Sequence, residues 1–71
     1  MKRHPSRLTA GDYITDANHG RVRVVRVLGP TADHSAWQVE VEDPDGRLLL
    51  RNYRNRGTVR VTGNTAQPEL F

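Results

Sequence analysis

Apolar and polar residues alternate along this chain in short stretches, and no stretch keeps the three-to-four spacing of a helix. The first clear alternation is Tyr13-Ile14-Thr15, opened by Gly11-Asp12 and closed by the turn chemistry of Asp16-Ala17-Asn18-His19-Gly20. Arg21 to Leu28 then reads R-V-R-V-V-R-V-L. Val22 and Val24 share a face, the doubled Val24-Val25 slips the phase by one residue, and Val27 continues inward. Such a slip is the signature of a β-bulge, which sharpens the bend of a barrel. Trp37, Val39 and Val41 alternate with Gln38, Glu40 and Glu42, which predicts a half-buried strand. Asp43-Pro44-Asp45-Gly46 predicts a tight hairpin into a return strand, Arg47 to Tyr53. A last strand is expected over residues 58–62, with Val59 and Val61 inward. The expected core is Ile14, Val22, Val24, Val27, Trp37, Val39, Val41, Leu48, Leu50, Val59 and Val61.

These elements predict an all-β fold, a five-stranded, strongly bent antiparallel barrel over residues 11–62. Residues 1–10 are polar and basic and are expected to form a flexible N-terminal arm. Residues 63–71 are expected to form a flexible C-terminal tail. Gly11-Asp12 before the first strand, a turn ending in Gly20, a long basic second strand and a tight third-to-fourth hairpin resemble the SH3-like small barrels, the group of KOW and Tudor modules. The resemblance is one of architecture over residues 11–62, and it transfers no family site.

With 71 residues the chain is expected to be one domain with one small core. Its longest apolar run is Leu48 to Leu50, far too short to cross a bilayer, and Met1-Lys2-Arg3-His4-Pro5 does not open a secretory signal. No membrane partner and a cytoplasmic location are therefore expected. The absence of cysteine excludes disulfides, thiol catalysis and cysteine-held metals. His4, His19 and His34 are scattered over arm and turns, without metal-ligand spacing. No nucleophile motif and no phosphate-cradling glycine loop occur. Neither an enzyme, nor a cofactor, nor a small-molecule substrate is expected. Glu40 and Glu42 share an outward strand face and are expected to pair with cations across the hairpin.

The net charge of +3 conceals three blocks. Residues 1–30 carry six bases and two acids, residues 31–46 five acids and no base, and residues 47–71 five bases and one acid. Ten of the eleven bases are Arg, whose planar fork suits phosphate and stacks on bases. Strand parity turns Arg21, Arg23 and Arg26 outward, and with Leu48 and Leu50 inward it also turns out Leu49, Arg51 and Tyr53. Arg54 and Arg56 follow in a turn, and Arg60 projects from the last strand. Arg21, Arg23, Arg26, Arg51, Tyr53, Arg54, Arg56 and Arg60 are the candidate nucleic-acid surface, contacting DNA or RNA through phosphates and a tyrosine platform. Tyr13 is a second outward aromatic. The bland alternative is a solvated basic face that protects strand edges.

Gln67-Pro68-Glu69-Leu70-Phe71 resembles the peptide by which bacterial proteins bind the replication sliding clamp. Gln67, acidic Glu69, Leu70 and Phe71 fit that pattern, and Pro68 departs from its frequent leucine. The resemblance implies a bacterial sliding clamp as partner, with Gln67, Leu70 and Phe71 as anchors. The expectation is a small non-enzymatic adaptor of DNA-bound machinery, of the kind phages and plasmids encode. One alternative is a protein-interaction barrel whose acidic hairpin is the recognition surface and whose tail caps its own core. Another is a structural protein that oligomerises through strand edges.

Overall fold

Val22, Val24, Val39 and Val41 point to one side of two neighbouring strands and are almost completely buried, which fixes which face of the sheet becomes the core. The computed structural model describes residues 1–64. It is all-β, with strands β1 (Lys2–Arg3), β2 (Asp12–Asp16), β3 (Gly20–Pro30), β4 (Ala36–Glu42), β5 (Leu48–Arg54) and β6 (Val59–Asn64). They form one antiparallel sheet in the order β1-β6-β2-β3-β4-β5, curled into a half-barrel. Among the described residues no helix is long and apolar enough to cross a membrane.

The curl has local causes. The register of β3 against β4 shifts between Val24 and Arg26, where the doubled valine predicts a bulge, and shifts again between Val27 and Gly29. A third shift lies in the β2–β6 pairing, where consecutive Tyr13 and Ile14 face Gly63 and Val61 and Thr62 of β6 is the extra residue. Each extra residue bends its strand and increases the local twist, so an eleven-residue β3 can serve two differently oriented neighbours. Ile14, Val22, Val24, Val39, Val41 and Val59 fill the concave side, and Leu8 closes over them. Each such side chain removed from water contributes about 1.5–3 kcal/mol. Val27 and Val61 pack against this cluster without being fully covered.

Four expectations are corrected. The sheet has six strands rather than five, and its last strand runs on through Gly63 and Asn64, which were expected in the tail, because they pair with Tyr13 and Asp12 of β2. The extra strand comes from residues 1–10, which do not form a free arm: Lys2 pairs with Arg60 and Arg3 with Val59, and the Val61 amide donates to the Met1 carbonyl at 2.6 Å. Residues 5–7 then make one 3-10 turn, with Pro5 and Leu8 buried. The edge of β6 needs a hydrogen-bonding partner and the concave side needs an apolar cover, and this segment supplies both. The second correction concerns Trp37, which is half-buried rather than central. Its Nε1 donates to Asn55 Oδ1 at 2.8 Å, and the His4 ring meets its indole edge-to-face at 6.0 Å.

The third correction is the parity of β5. Leu48 and Leu50 are 59% and 57% exposed, while Leu49, Arg51 and Tyr53 turn toward the core. The β4–β5 register explains it, because Leu49 lies opposite Val41 and Arg51 opposite Val39, both core valines. The fourth follows from it. Glu42 and Glu40 sit opposite exposed Leu48 and Leu50, and they find their cations on β3 instead of β5.

Buried carboxylates hold the turns. Asp43 Oδ1 accepts the amides of Asp45 at 2.9 Å and Arg47 at 2.8 Å, and Gly46 takes the left-handed φ of +84° that closes the hairpin. Asp12, at the start of β2, accepts from the Thr9 amide at 2.9 Å, Arg3 Nη1 at 3.3 Å and Asn64 Nδ2 at 2.6 Å. Asp16, at the other end of β2, accepts from the Asn18 and His19 amides, each at 3.1 Å, and from His19 Nδ1 at 2.9 Å.

Candidate nucleic-acid interface

The eight candidate residues on the barrel fall into two groups by what their side chains already hold. Arg23 Nη2 lies 3.1 Å from Glu42 Oε1, and Arg26 Nε 3.1 Å from Glu40 Oε1. Arg51 points inward, its Nε and Nη2 both 2.8 Å from Asp16 Oδ1. Tyr53 also faces inward and packs against the core, so its ring is not the outward stacking platform that parity from Leu48 and Leu50 predicts. Its hydroxyl is buried and has no hydrogen-bond partner among the described residues, and burial with the nearby Asp16 carboxylate pushes its pKa up.

The second group has no carboxylate partner among the described residues. Arg21 stacks on the Tyr13 ring, its guanidinium carbon 3.9 Å from the centroid. That pair is the outward aromatic surface of the half-barrel. Arg54 and Arg56 line an open cleft of about 620 Å³ with His34, Ser35, Ala36 and Asn55. Arg60 stands directly across from Lys2 on β1, and both are exposed. Like charges opposite one another on paired strands cost stability unless an anion comes between them.

The cleft is built by two turns. Ala36 pairs with Arg54, so the residues just before β4 lie beside those just after β5. On one wall Asp33 Oδ1 accepts from Thr31 Oγ1 at 2.8 Å, the Ser35 amide at 3.0 Å and Ser35 Oγ at 2.8 Å. These bonds, led by the Ser35 amide and hydroxyl, lower the Asp33 pKa to about 2, so its charge is committed to its own turn. They also hold His34 at a φ of +59°, in the left-handed region that a residue other than glycine seldom occupies. On the other wall the Asn55 amide donates to the Ser35 carbonyl at 3.0 Å. His4 Nε2 donates to the Asn55 carbonyl, while His4 Nδ1 accepts from the Ser6 amide at 3.2 Å. The N-terminal segment thereby braces the turn that carries Arg54 and Arg56.

The sequence reading did not single out His34, Ser35 or Asn55 for this surface. The signal was present in the hairpin register, since any pairing of β4 with β5 brings the loop before one beside the turn after the other. Gln67, Leu70 and Phe71, the clamp-peptide anchors, lie outside the described residues. Compared with known proteins, the chain matches no family model, no curated protein and no solved structure.

Proposed function

We propose that this chain is a small, non-enzymatic adaptor that meets nucleic-acid phosphates through Arg54, Arg56, Arg60 and Lys2 and carries a sliding-clamp-binding peptide in Gln67-Pro68-Glu69-Leu70-Phe71. The observation that carries the nucleic-acid part is the division of the arginines. Arg3, Arg23, Arg26 and Arg51 are each within 3.3 Å of a carboxylate, whereas Arg54 and Arg56 flank an open cleft with none at ion-pair distance among the described residues. Guanidinium groups at the end of β5 and in the turn after it, lining one cleft without carboxylate partners among the described residues, suit a polyanion, and the Arg21–Tyr13 stack offers a place for a base. The contacts are to phosphate, so binding is sequence-tolerant, with a Kd of about 10⁻⁶ to 10⁻⁴ M at physiological salt.

The likeness to SH3-like barrels of the KOW and Tudor kind supports the same reading at the level of architecture. The clamp part rests on the tail residues alone. Together they describe a cytoplasmic protein of a bacterium, phage or plasmid that is tethered to replicating DNA and touches it. Titration of fluorescent single- and double-stranded oligonucleotides at several salt concentrations tests the nucleic-acid part. Binding that weakens with salt, and weakens again in Arg54→Ser/Arg56→Ser, supports it. Absence of binding at low salt leaves the protein-interaction alternative.

A further inference from the structure

We infer that the chain self-associates through the free edge of β5, pairing antiparallel with β5 of a second copy. Among the described residues β5 is the last strand of the sheet and has one neighbour, β4. Sheet edges of soluble proteins are shortened, bulged, or guarded by proline or lysine. The opposite edge follows that rule, because β1 is two residues long. β5 is less guarded: it runs seven residues, pairs with β4 through seven consecutive positions without a bulge, and its charges, inward Arg51 and terminal Arg54, leave the Leu48–Leu50 half without any. Its exposed face carries Leu48 and Leu50, each more than half accessible.

The surroundings select a second copy as the occupant. Glu42 and Glu40, beside the two leucines on β4, are already neutralised by Arg23 and Arg26, so an approaching apolar face meets no uncompensated carboxylate there. An antiparallel register that sets Leu48 of one copy against Leu50 of the other brings all four leucines together. The same register lays Arg54 alongside the partner copy's Asp43–Gly46 turn. There Asp45 is exposed and has no ion-pair partner among the described residues. That register also brings exposed Arg47 opposite the partner copy's Arg51, whose charge is already held by Asp16, so the charge match of the joint is the Arg54–Asp45 contact, made once at each end. A parallel partner would set like charges together. Arg54 also lines the cleft, so dimer and polyanion compete for it, whereas Leu48 and Leu50 serve the dimer alone.

Sedimentation equilibrium of the full-length protein without nucleic acid, over a range of concentrations, tests this. The expected result is a monomer–dimer equilibrium. Leu48→Lys/Leu50→Lys should raise its Kd by about tenfold or more while leaving the far-ultraviolet circular dichroism unchanged. Asp45→Arg should weaken the dimer, and Asp45→Arg/Arg54→Asp should restore it, a readout that decides the matter even if the lysines disturb folding. A protein that stays monomeric at every concentration, or a dimer indifferent to both sets of substitutions, overturns the inference. Because Arg54 is shared, the Leu48→Lys/Leu50→Lys variant, which leaves the cleft residues in place, is the one carried into the oligonucleotide titration, so that failure of the dimer and failure of nucleic-acid binding are read separately.

Discussion

Arg51 and Asp16, 35 positions apart in the chain, meet across the mouth of the half-barrel, with two guanidinium nitrogens on one carboxylate oxygen. Asp16 is 3% exposed at its side chain, and its other oxygen is occupied by the 18–19 turn. The pair ties β5 to the end of β2, which are not neighbours in the sheet. Removing the carboxylate leaves two amides and a guanidinium without their acceptor. Asp16→Ala should cost about 3 kcal/mol, read as a shift in the urea midpoint, and Arg51→Met should cost less because Asp16 keeps the Asn18 and His19 amides and the His19 ring as partners.

Acid should unfold the protein through the same groups. Burial alone would raise the pKa of Asp16, but hydrogen bonds from His19, the Asn18 amide and Arg51 outweigh it and hold it below its ordinary 3.8. Asp12 is likewise lowered, by Asn64, Thr9 and Arg3 against its burial. A carboxylate with a depressed folded pKa stabilises fully above its unfolded pKa, and that contribution is lost as pH falls through the folded value. Stability should therefore hold from neutral pH down to about 5 and fall below about 4. Asp16→Asn should flatten that fall in a pH series of thermal melts.

The parity of β5 has a direct test. Leu49→Ala removes a side chain packed on the core and should cost about 2 kcal/mol, whereas Leu50→Ala on the exposed face should stay within about 0.5 kcal/mol. Val41→Asp should prevent folding, because an unpaired carboxylate in the centre of the sheet costs as much as a domain of this size has to lose.

Most of the strand pattern was legible. The alternations around Ile14, Val22, Val39 and Val59 each became a strand with those residues inward, and the doubled valine became a bulge. The β5 face was not legible from apolar content, because three consecutive leucines fit either parity. What decides it is long-range: a buried Asp16 that needs a cation, and Arg51 on the same face as Leu49. The N-terminal segment was hidden for a related reason. Its polar residues form no amphipathic pattern, and its order comes from the edge of β6 and the covering of the core by Leu8. On the candidate surface, composition counted arginines but not their partners. Arg23 and Arg26 face outward as parity requires, yet each is matched by a glutamate on the next strand.

The tail makes a separate prediction. A labelled peptide spanning Gln67 to Phe71 should bind a purified bacterial sliding clamp with micromolar or weaker affinity, about −8 kcal/mol at most. Leu70→Ala/Phe71→Ala in the intact protein should abolish it, since each apolar anchor is worth roughly 1.5–3 kcal/mol against the cost of ordering the peptide. Equal binding by that variant would remove the clamp from the account.

The proposed polyanion surface consists of the arginines without carboxylate partners and not of the whole arginine complement. The most direct test compares the salt dependence of duplex binding in the unmodified protein, in Arg54→Ser/Arg56→Ser and in Arg23→Ser/Arg26→Ser. The first pair should lower the slope of log K against log salt by about 1.8, and the second pair should leave it nearly unchanged. Equal loss in both variants, or a slope untouched by Arg54→Ser/Arg56→Ser, would contradict this division of the arginines.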